Sequence, residues 1–199
     1  MNYLAHAYLS FGHSQILAGN MISDFVKGKK QFGYELLIQK GIRLHRSIDS
    51  FTDEHPATKE MKKVFKPVYG LYAGAFSDIV YDYFLANDKN EFSSEIVLQE
   101  FALNSYAILE KQINNMPLIF KQMFPYMKTH DWLSNYRYEW AIQKSFAGMA
   151  RRAKYITESD TAFKIFENNI PFMKPCYDEF FPLLKNHAAY TLQELLNTD

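Results

Sequence analysis

Apolar residues recur every three to four positions along almost the whole chain, which is the spacing of one face of an α-helix. The alternation of apolar and polar residues that is typical of a half-buried strand is scarce. The pattern predicts ten helices, at residues 2–9, 15–27, 33–51, 56–66, 71–87, 93–114, 117–128, 132–152, 159–169 and 172–197. Three late prolines are expected to break or kink the last segment, namely Pro171, Pro175 and Pro182. We therefore expect an all-α fold, a single-domain multi-helix bundle that spans residues 1–199.

Composition narrows the classes of function. Hydrophobic residues make up 48% of the 199 positions, which supplies a sizeable core and excludes global disorder. Lys and Arg together number 22, as do Asp and Glu, and this balance argues against a general nucleic-acid binder. The single cysteine, Cys176, cannot form an intramolecular disulfide, which suits a reducing compartment. With no signal-peptide pattern and no apolar run of roughly 18 residues, we expect a cytoplasmic protein that binds no membrane.

The strongest chemical pattern lies in the segment GIRLHRSIDSFTD at residues 41–53. His45 and Asp49 fall one helical turn apart beside an apolar stripe, with Cβ atoms about 5–6 Å apart. Imidazole suits transition metals and carboxylate suits Mg²⁺ or Mn²⁺, so the pair can share one divalent cation. Arg46 lies on the neighbouring flank, where a guanidinium can hold a phosphate oxygen. Taken alone, the segment also fits an ordinary surface helix with an ion pair.

A second pair of carboxylates, Asp78 and Asp82, lies in the segment FSDIVYDYFLA at residues 76–86. This helix is apolar on almost every side, which is typical of a buried helix. Two carboxylates one turn apart repel each other, and burial increases the cost unless a cation or a proton compensates. The pair therefore either faces a metal or forms a narrow strip facing water.

Two further residues, each weak evidence alone, support the metal-site prediction because they accompany the two stronger pairs. Asp24 lies among apolar residues in GNMISDFVKG, and His6 lies in the apolar opening helix. A lone aspartate of this kind is more often a cap, and a lone histidine is more often a satisfied core residue. Their interest is that they accompany the two stronger pairs in the first half of the chain.

These blocks, in this order, resemble the acyl carrier protein phosphodiesterase family, whose helical enzymes are distantly related to the HD-type phosphohydrolases. The matching stretches are MNYLAHAYLS, GNMISDFVKG, GIRLHRSIDSFTD, SDIVYDYFLA, WLSNYR, residues 141–152 and FFPLL. Together they cover nearly the whole chain, although residues 88–130 carry little of the pattern. The chain departs from the wider HD-type pattern because His45 is followed by Arg46 rather than by an aspartate.

The resemblance implies hydrolysis of the phosphodiester that joins 4′-phosphopantetheine to a serine of holo-acyl carrier protein. It also implies a divalent metal, with Mn²⁺ most expected and Mg²⁺ as the other candidate. Carried over by position, the site comprises His6, Asp24, His45, Asp49, Asp78 and Asp82. Within this set we assign metal binding to Asp24, His45, Asp49 and Asp78. We assign catalytic roles to His6, Asp24 and Asp82, together with Arg46.

The implied partner is a small acidic protein, so a basic surface would steer the encounter. Three basic clusters are candidates for this surface: Lys27–Lys30 with Lys40 and Arg43, Lys62–Lys66, and Arg151–Lys154. Two other functions remain open at this point. One is an HD-like phosphohydrolase of a nucleotide or another small phosphoester, and the other is a non-catalytic helical binding module.

Overall fold

The computed structural model describes residues 1–198, which form ten α-helices and no strand. The helices are α1 (Tyr3–Tyr8), α2 (Ser14–Ile22), α3 (Leu36–Glu54), α4 (Pro56–Tyr69), α5 (Ala73–Ala86), α6 (Glu95–Gln112), α7 (Leu118–Thr129), α8 (Trp132–Asn135), α9 (Glu139–Arg152) and α10 (Asp160–Asn197). Short 3₁₀ turns occupy Ser23–Phe25, Gly28–Gly33, Gly70–Tyr72 and Ile113–Asn115. The predicted all-α class is confirmed. None of the described helices is long and apolar enough to cross a membrane.

Two predicted helices end earlier than expected. The helix predicted at 15–27 stops at Ile22, and the chain continues as the 3₁₀ turn Ser23–Phe25. The backbone carbonyl of Val26 instead accepts a hydrogen bond from Arg46, which holds this segment against α3. The helix predicted at 132–152 is divided into α8 and α9. Between them the carbonyl of Arg137 accepts a hydrogen bond from the side chain of Asn87, so a tertiary contact replaces a helical one.

The last two predicted helices form one continuous helix, so the expected break was wrong. The three prolines of α10 are all exposed and lie on its outer side. The opposite side carries a buried stripe at helical spacing, formed by Met173, Tyr177, Phe180, Phe181, Leu184, Ala188 and Leu192. Prolines on the solvent side bend a helix around a core without ending it when apolar packing holds both halves.

The closest pair of helices is α2 and α3. A Cβ atom added to Gly19 would lie 2.1 Å from the carbonyl oxygen of Ile38 and 2.9 Å from the Cα of Gly41. A Cβ atom added to Gly41 would lie 2.3 Å from the carbonyl oxygen of Ile16. No real Cβ has such neighbours, so this backbone contact depends on glycine at both positions. It brings the residue after Gly19 next to the second half of α3.

Aromatic side chains fill much of the core between α4, α5, α9 and α10. Phe76 stacks on Phe65 at 5.4 Å between ring centroids and meets Phe146 edge to face at 5.0 Å. Tyr81 stacks on Phe180 of α10 at 4.7 Å. Such pairs contribute about 1 kcal/mol each beyond their buried area. They hold α5 rigidly, and α5 carries the two aspartates of the second predicted pair.

Candidate metal centre

The imidazole rings of His6 and His45 stack on each other in the interior. Their centroids are 3.9 Å apart and their planes are inclined by 14°. Both side chains are buried, His6 at 3% and His45 at 5% exposure. Short α1 presents the first ring and the middle of α3 presents the second, so two distant segments meet at one point.

Asn20, at the end of α2, fixes the orientation of both rings. Its side-chain oxygen lies 2.8 Å from Nδ1 of His6, and its backbone oxygen lies 2.7 Å from Nδ1 of His45. Its amide nitrogen donates to the carbonyl of His6 and to the hydroxyl of Ser10, which settles which end of the amide is oxygen. Because both partners are acceptors, each Nδ1 carries the proton. In the neutral rings each Nε2 therefore holds a free lone pair, which is what metal ligation requires.

Both free nitrogens point at carboxylates. Nε2 of His45 lies 3.0 Å from Asp49 Oδ2 and 3.3 Å from Asp24 Oδ1, and Nε2 of His6 lies 3.2 Å from Asp49 Oδ1. Despite these short distances, neither buried Nε2 forms a hydrogen bond of acceptable geometry with any described residue. His6, His45 and Asp49 each offer a ligand atom within 4.8 Å of the others.

Asp78 borders the same point from α5. Its Oδ1 lies 3.2 Å from the α-amine of Met1, and that amine lies 3.3 Å from Asp49 Oδ1. The amine is fully buried, while Asp78 and Asp49 retain 28% and 39% side-chain exposure. A cationic group thus already lies between Asp49 and Asp78, two of the three carboxylates of the predicted metal set.

Opposite charges lie close together in this cluster and shift the pKa values of its members. Burial lowers the pKa of the Met1 amine, but the charges of Asp78 and Asp49 outweigh it and raise this pKa to about 10. Burial alone would raise the pKa of the Asp49 carboxyl, yet the close imidazoles of His45 and His6 bring it well below its usual value. Burial, with some relief from the Met1 amine, raises the pKa of Asp78.

The two stacked rings differ in how readily they take up a proton. Burial and the charge of His45 lower the pKa of His6 to about 4. Burial also opposes the charged form of His45, but the close carboxylates of Asp24 and Asp49 raise its pKa to about 9. The nearby imidazole of His45 in turn lowers the pKa of Asp24. Rings at this separation do not both carry a charge, so His6 is the neutral member of the pair.

Two of the predicted catalytic residues make other contacts. Asp82 is completely buried on α5, and its carboxylate accepts hydrogen bonds from the backbone nitrogens of Leu4 and Ala5, at 2.7 and 3.2 Å. It therefore anchors the start of α1, the helix that carries His6. Burial raises the pKa of this carboxyl to about 7, against the effect of these backbone hydrogen bonds.

Arg46 is exposed and holds the neighbouring loop. Its guanidinium donates to the carbonyl of Val26 at 3.1 Å and to the side-chain oxygen of Gln31 at 3.0 Å. The structure thus brings together His6, Asp24, His45, Asp49 and Asp78. It places Asp82 behind α1 and Arg46 at the rim.

The sequence reasoning did not single out Asn20, although this residue orients both imidazoles. Its only sequence signal was a polar amide among apolar residues in the GNMISDFVKG block. Asn20 is fully buried, and a buried amide needs several hydrogen-bond partners, so its position in an apolar helix was the usable clue. The closely packed glycines 19 and 41 were likewise visible in the sequence but not recognised as a contact.

The donor set fits a divalent metal ion. Two buried imidazole nitrogens and a carboxylate between them are the ligands that Zn²⁺, Mn²⁺ and related ions accept. On His45 a bound cation would take the place of the proton that Asp24 and Asp49 favour at Nε2. The Nε2 atoms without hydrogen-bond partners are the observation that favours a cation. A buried polar atom without a partner destabilises the folded state by about 1–3 kcal/mol. The fold and site therefore define a class: an all-helical protein with a candidate metal centre of two histidines and one aspartate.

Comparison with known proteins identifies the family within this class. A sequence model of the acyl carrier protein phosphodiesterase family matches residues 1–184, and the chain belongs to this family. The acyl carrier protein phosphodiesterase of Enterobacter sp. (strain 638) is 29% identical over 188 residues, 94% of this chain and 97% of that protein. The proteins of the same name from Photorhabdus laumondii and Yersinia pestis are each 27% identical, covering 94% and 96% of this chain and 95% and 98% of the relatives. No match was found among solved structures, so the HD-like relationship stays a prediction.

Proposed function

We propose that this protein hydrolyses the phosphodiester between 4′-phosphopantetheine and the serine of holo-acyl carrier protein, and that it requires a divalent metal, with Mn²⁺ preferred. The observation that supports the proposal most directly is the convergence of His6, His45 and Asp49 around two unsatisfied imidazole nitrogens. Membership of the phosphodiesterase family supplies the substrate class.

His6, His45 and Asp49 are the proposed core of the metal site, with Asp24 and Asp78 as further carboxylate ligands at its edge. The sequence left His6 as an acid–base group or a ligand. Because Asn20 holds its Nδ1 and only Nε2 is free, we assign it to the ligand set. A bound divalent ion would lower the pKa of a coordinated water and neutralise charge on the phosphate.

The surrounding side chains have roles of their own. Asp24 is 71% exposed and 3.3 Å from His45 Nε2, which suits a carboxylate that accepts a proton at the open side of the site. Arg46 supplies a positive charge at the rim and keeps the adjacent loop in place. Asp82 holds the start of α1 and with it the position of His6.

The loop that Arg46 holds is the proposed docking surface for the carrier protein. Lys27, Lys29 and Lys30 are exposed there, and none of them forms an ion pair with a residue of the described chain. Phe32, which is 59% exposed, adds an apolar contact to the same loop. An acidic helical protein complements such a surface in charge and in hydrophobicity.

The second basic cluster is less suitable because its charges are partly neutralised. Lys62 lies 2.6 Å from Asp53, and Lys63 lies 2.7 Å from Glu60. Asp53, one turn beyond Asp49, is therefore already paired on the far side of the site. The lysines of the 27–30 loop are the better candidates for contact with an acidic partner.

The test is incubation of the protein with holo-acyl carrier protein and Mn²⁺, followed by intact-mass measurement of the carrier protein. We expect loss of the mass of the prosthetic arm, and no loss when a chelator is present. Unchanged holo-protein together with turnover of nucleotides would favour the alternative phosphohydrolase. Unchanged holo-protein and no turnover of any phosphoester would leave a binding module.

A further inference from the structure

A groove of about 490 Å³ lies beyond the metal centre, at the start of α3. It is lined by Lys30, Gly33, Tyr34, Glu35, Ile38 and Asn115. Ile38 is on the same face of α3 as His45 and two turns before it, which corresponds to about 10 Å along the helix axis. The groove therefore lies about two turns of α3 from the metal centre.

Residues of α7 and of the turn before it make contacts between the groove and the metal centre. Beside the centre, the hydroxyl of Tyr3 lies 3.4 Å from the sulfur of Met123. One turn earlier on α7, the ring of Phe120 packs 6.0 Å from Phe25, the neighbour of Asp24. Before α7 begins, Asn115 faces the groove. Asn115, Phe120 and Met123 thus lie near residues that border the groove and the metal centre.

We propose that this groove binds the far end of the prosthetic arm, the amide-bearing, thiol-terminated part, while its phosphate lies at the metal centre. This inference rests on the function proposed above. The arm has about 13 bonds between phosphorus and sulfur and spans roughly 15 Å when extended, which is enough to reach from the centre into the groove.

The chemistry of the lining matches that of the arm. The arm carries two amides separated by methylene pairs, so it needs hydrogen-bond partners next to apolar surface. Asn115 and Tyr34 provide donors and acceptors, and Ile38 provides an apolar floor. Ligand sites are typically built in this way, from apolar walls with a few converging polar groups.

The test fills the groove with a large side chain. Asn115 is exposed, so Asn115→Trp places an indole at the groove with little effect on folding. Asn114→Trp, one position earlier and also exposed but not part of the lining, is the matched control. Gly33→Leu is a second filling variant, because a Cβ atom at Gly33 meets nothing within 4 Å.

Steady-state release of the arm from holo-carrier protein is measured for each variant. We expect Asn115→Trp and Gly33→Leu to raise KM about tenfold with kcat nearly unchanged, while Asn114→Trp behaves like the wild type. A carrier protein whose arm lacks the terminal cysteamine should be cleaved equally well by the wild type and by the filling variants.

The outcomes separate this inference from the proposed function. A wild-type protein that cleaves holo-carrier protein, with filling variants whose KM is unchanged, overturns the groove as the arm site and leaves the function intact. An equal KM increase with the truncated arm also overturns it, because the effect would then not depend on the far end of the arm. A wild-type protein that releases no arm at all removes the function and the groove proposal together.

Discussion

Gly19 and Gly41 are in direct backbone contact, and a Cβ atom on Gly19 would lie only 2.9 Å from the Cα of Gly41. This contact sets the distance between α2 and α3. Asn20 follows Gly19 directly, and His45 follows Gly41 by one turn. The hydrogen bond between these two residues therefore depends on the absence of side chains at the glycines.

Gly41→Ala should destabilise the protein and weaken the metal centre. Its methyl group would meet the carbonyl oxygen of Ile16 at 2.3 Å, so the two helices must separate. We expect the free energy of unfolding to fall by about 3 kcal/mol, measured by urea denaturation. Gly33→Ala is the control, because its Cβ meets nothing within 4 Å, and it should change stability by less than about 0.5 kcal/mol. Equal stability of both variants would contradict the close contact.

Asn20→Ala should reduce metal affinity. The Nδ1 proton of His6 loses its side-chain acceptor, whereas His45 keeps the backbone carbonyl of residue 20, so the ring of His6 is no longer fixed in the ligating orientation. Loss of such a supporting residue typically costs about 10–100-fold in metal affinity. Calorimetric titration with Mn²⁺ measures the effect, and the exposed Asn186→Ala is the comparison. Mn²⁺ affinity that is the same in both variants would rule out this orienting role.

Asp24→Ala should abolish turnover while leaving the fold intact. The side chain is 71% exposed and, among the described residues, His45 is its ion-pair partner, so its removal leaves no cavity in the core. We expect kcat to fall at least about 100-fold, in line with the loss of a general base or a ligand. The helical circular dichroism and the unfolding midpoint should match the wild type. Turnover near the wild-type level would exclude Asp24 from the chemistry.

Asp82→Ala should act chiefly through stability. Its carboxylate satisfies two backbone nitrogens at the start of α1, and these would become buried and unpaired. We expect a loss of about 2–4 kcal/mol in the free energy of unfolding. Thermal and urea denaturation check this value. A fully stable but inactive Asp82→Ala protein would instead favour the direct catalytic role predicted from the sequence.

Reversing the charges of Lys27, Lys29 and Lys30 to Glu should weaken capture of the carrier protein. These side chains are exposed and lie beside the centre, so the change would repel an acidic partner. The increase in KM should be large at low salt and small at high salt, because salt screens exposed charges. Reversal of Lys62 and Lys63, which already have acidic partners, is the comparison. A rate that is independent of the loop charges at low salt would remove this surface from the docking model.

The sequence by itself determined the fold class and most of the centre's composition. Helical spacing of apolar residues is a local property, so most of the helices could be predicted, although one predicted helix is divided into α8 and α9 and two predicted helices are joined in α10. The i, i+4 spacing placed His45 and Asp49 together because one helix carries both. Prediction from the sequence failed where packing overrides local preference. In α10, the three prolines lie on the outer side of a helix that the buried apolar stripe holds together.

Only the tertiary structure decided which distant residues meet. Two features depend on the crossing of α1, α2 and α3: the stacking of His6 on His45, and the hydrogen bonds that both imidazoles donate to Asn20. Asp78 and Asp82 are equivalent in sequence, yet one faces the centre and the other caps α1, because they project at different heights along α5. Helical periodicity fixes which face a residue occupies, whereas close packing between helices fixes what that face meets.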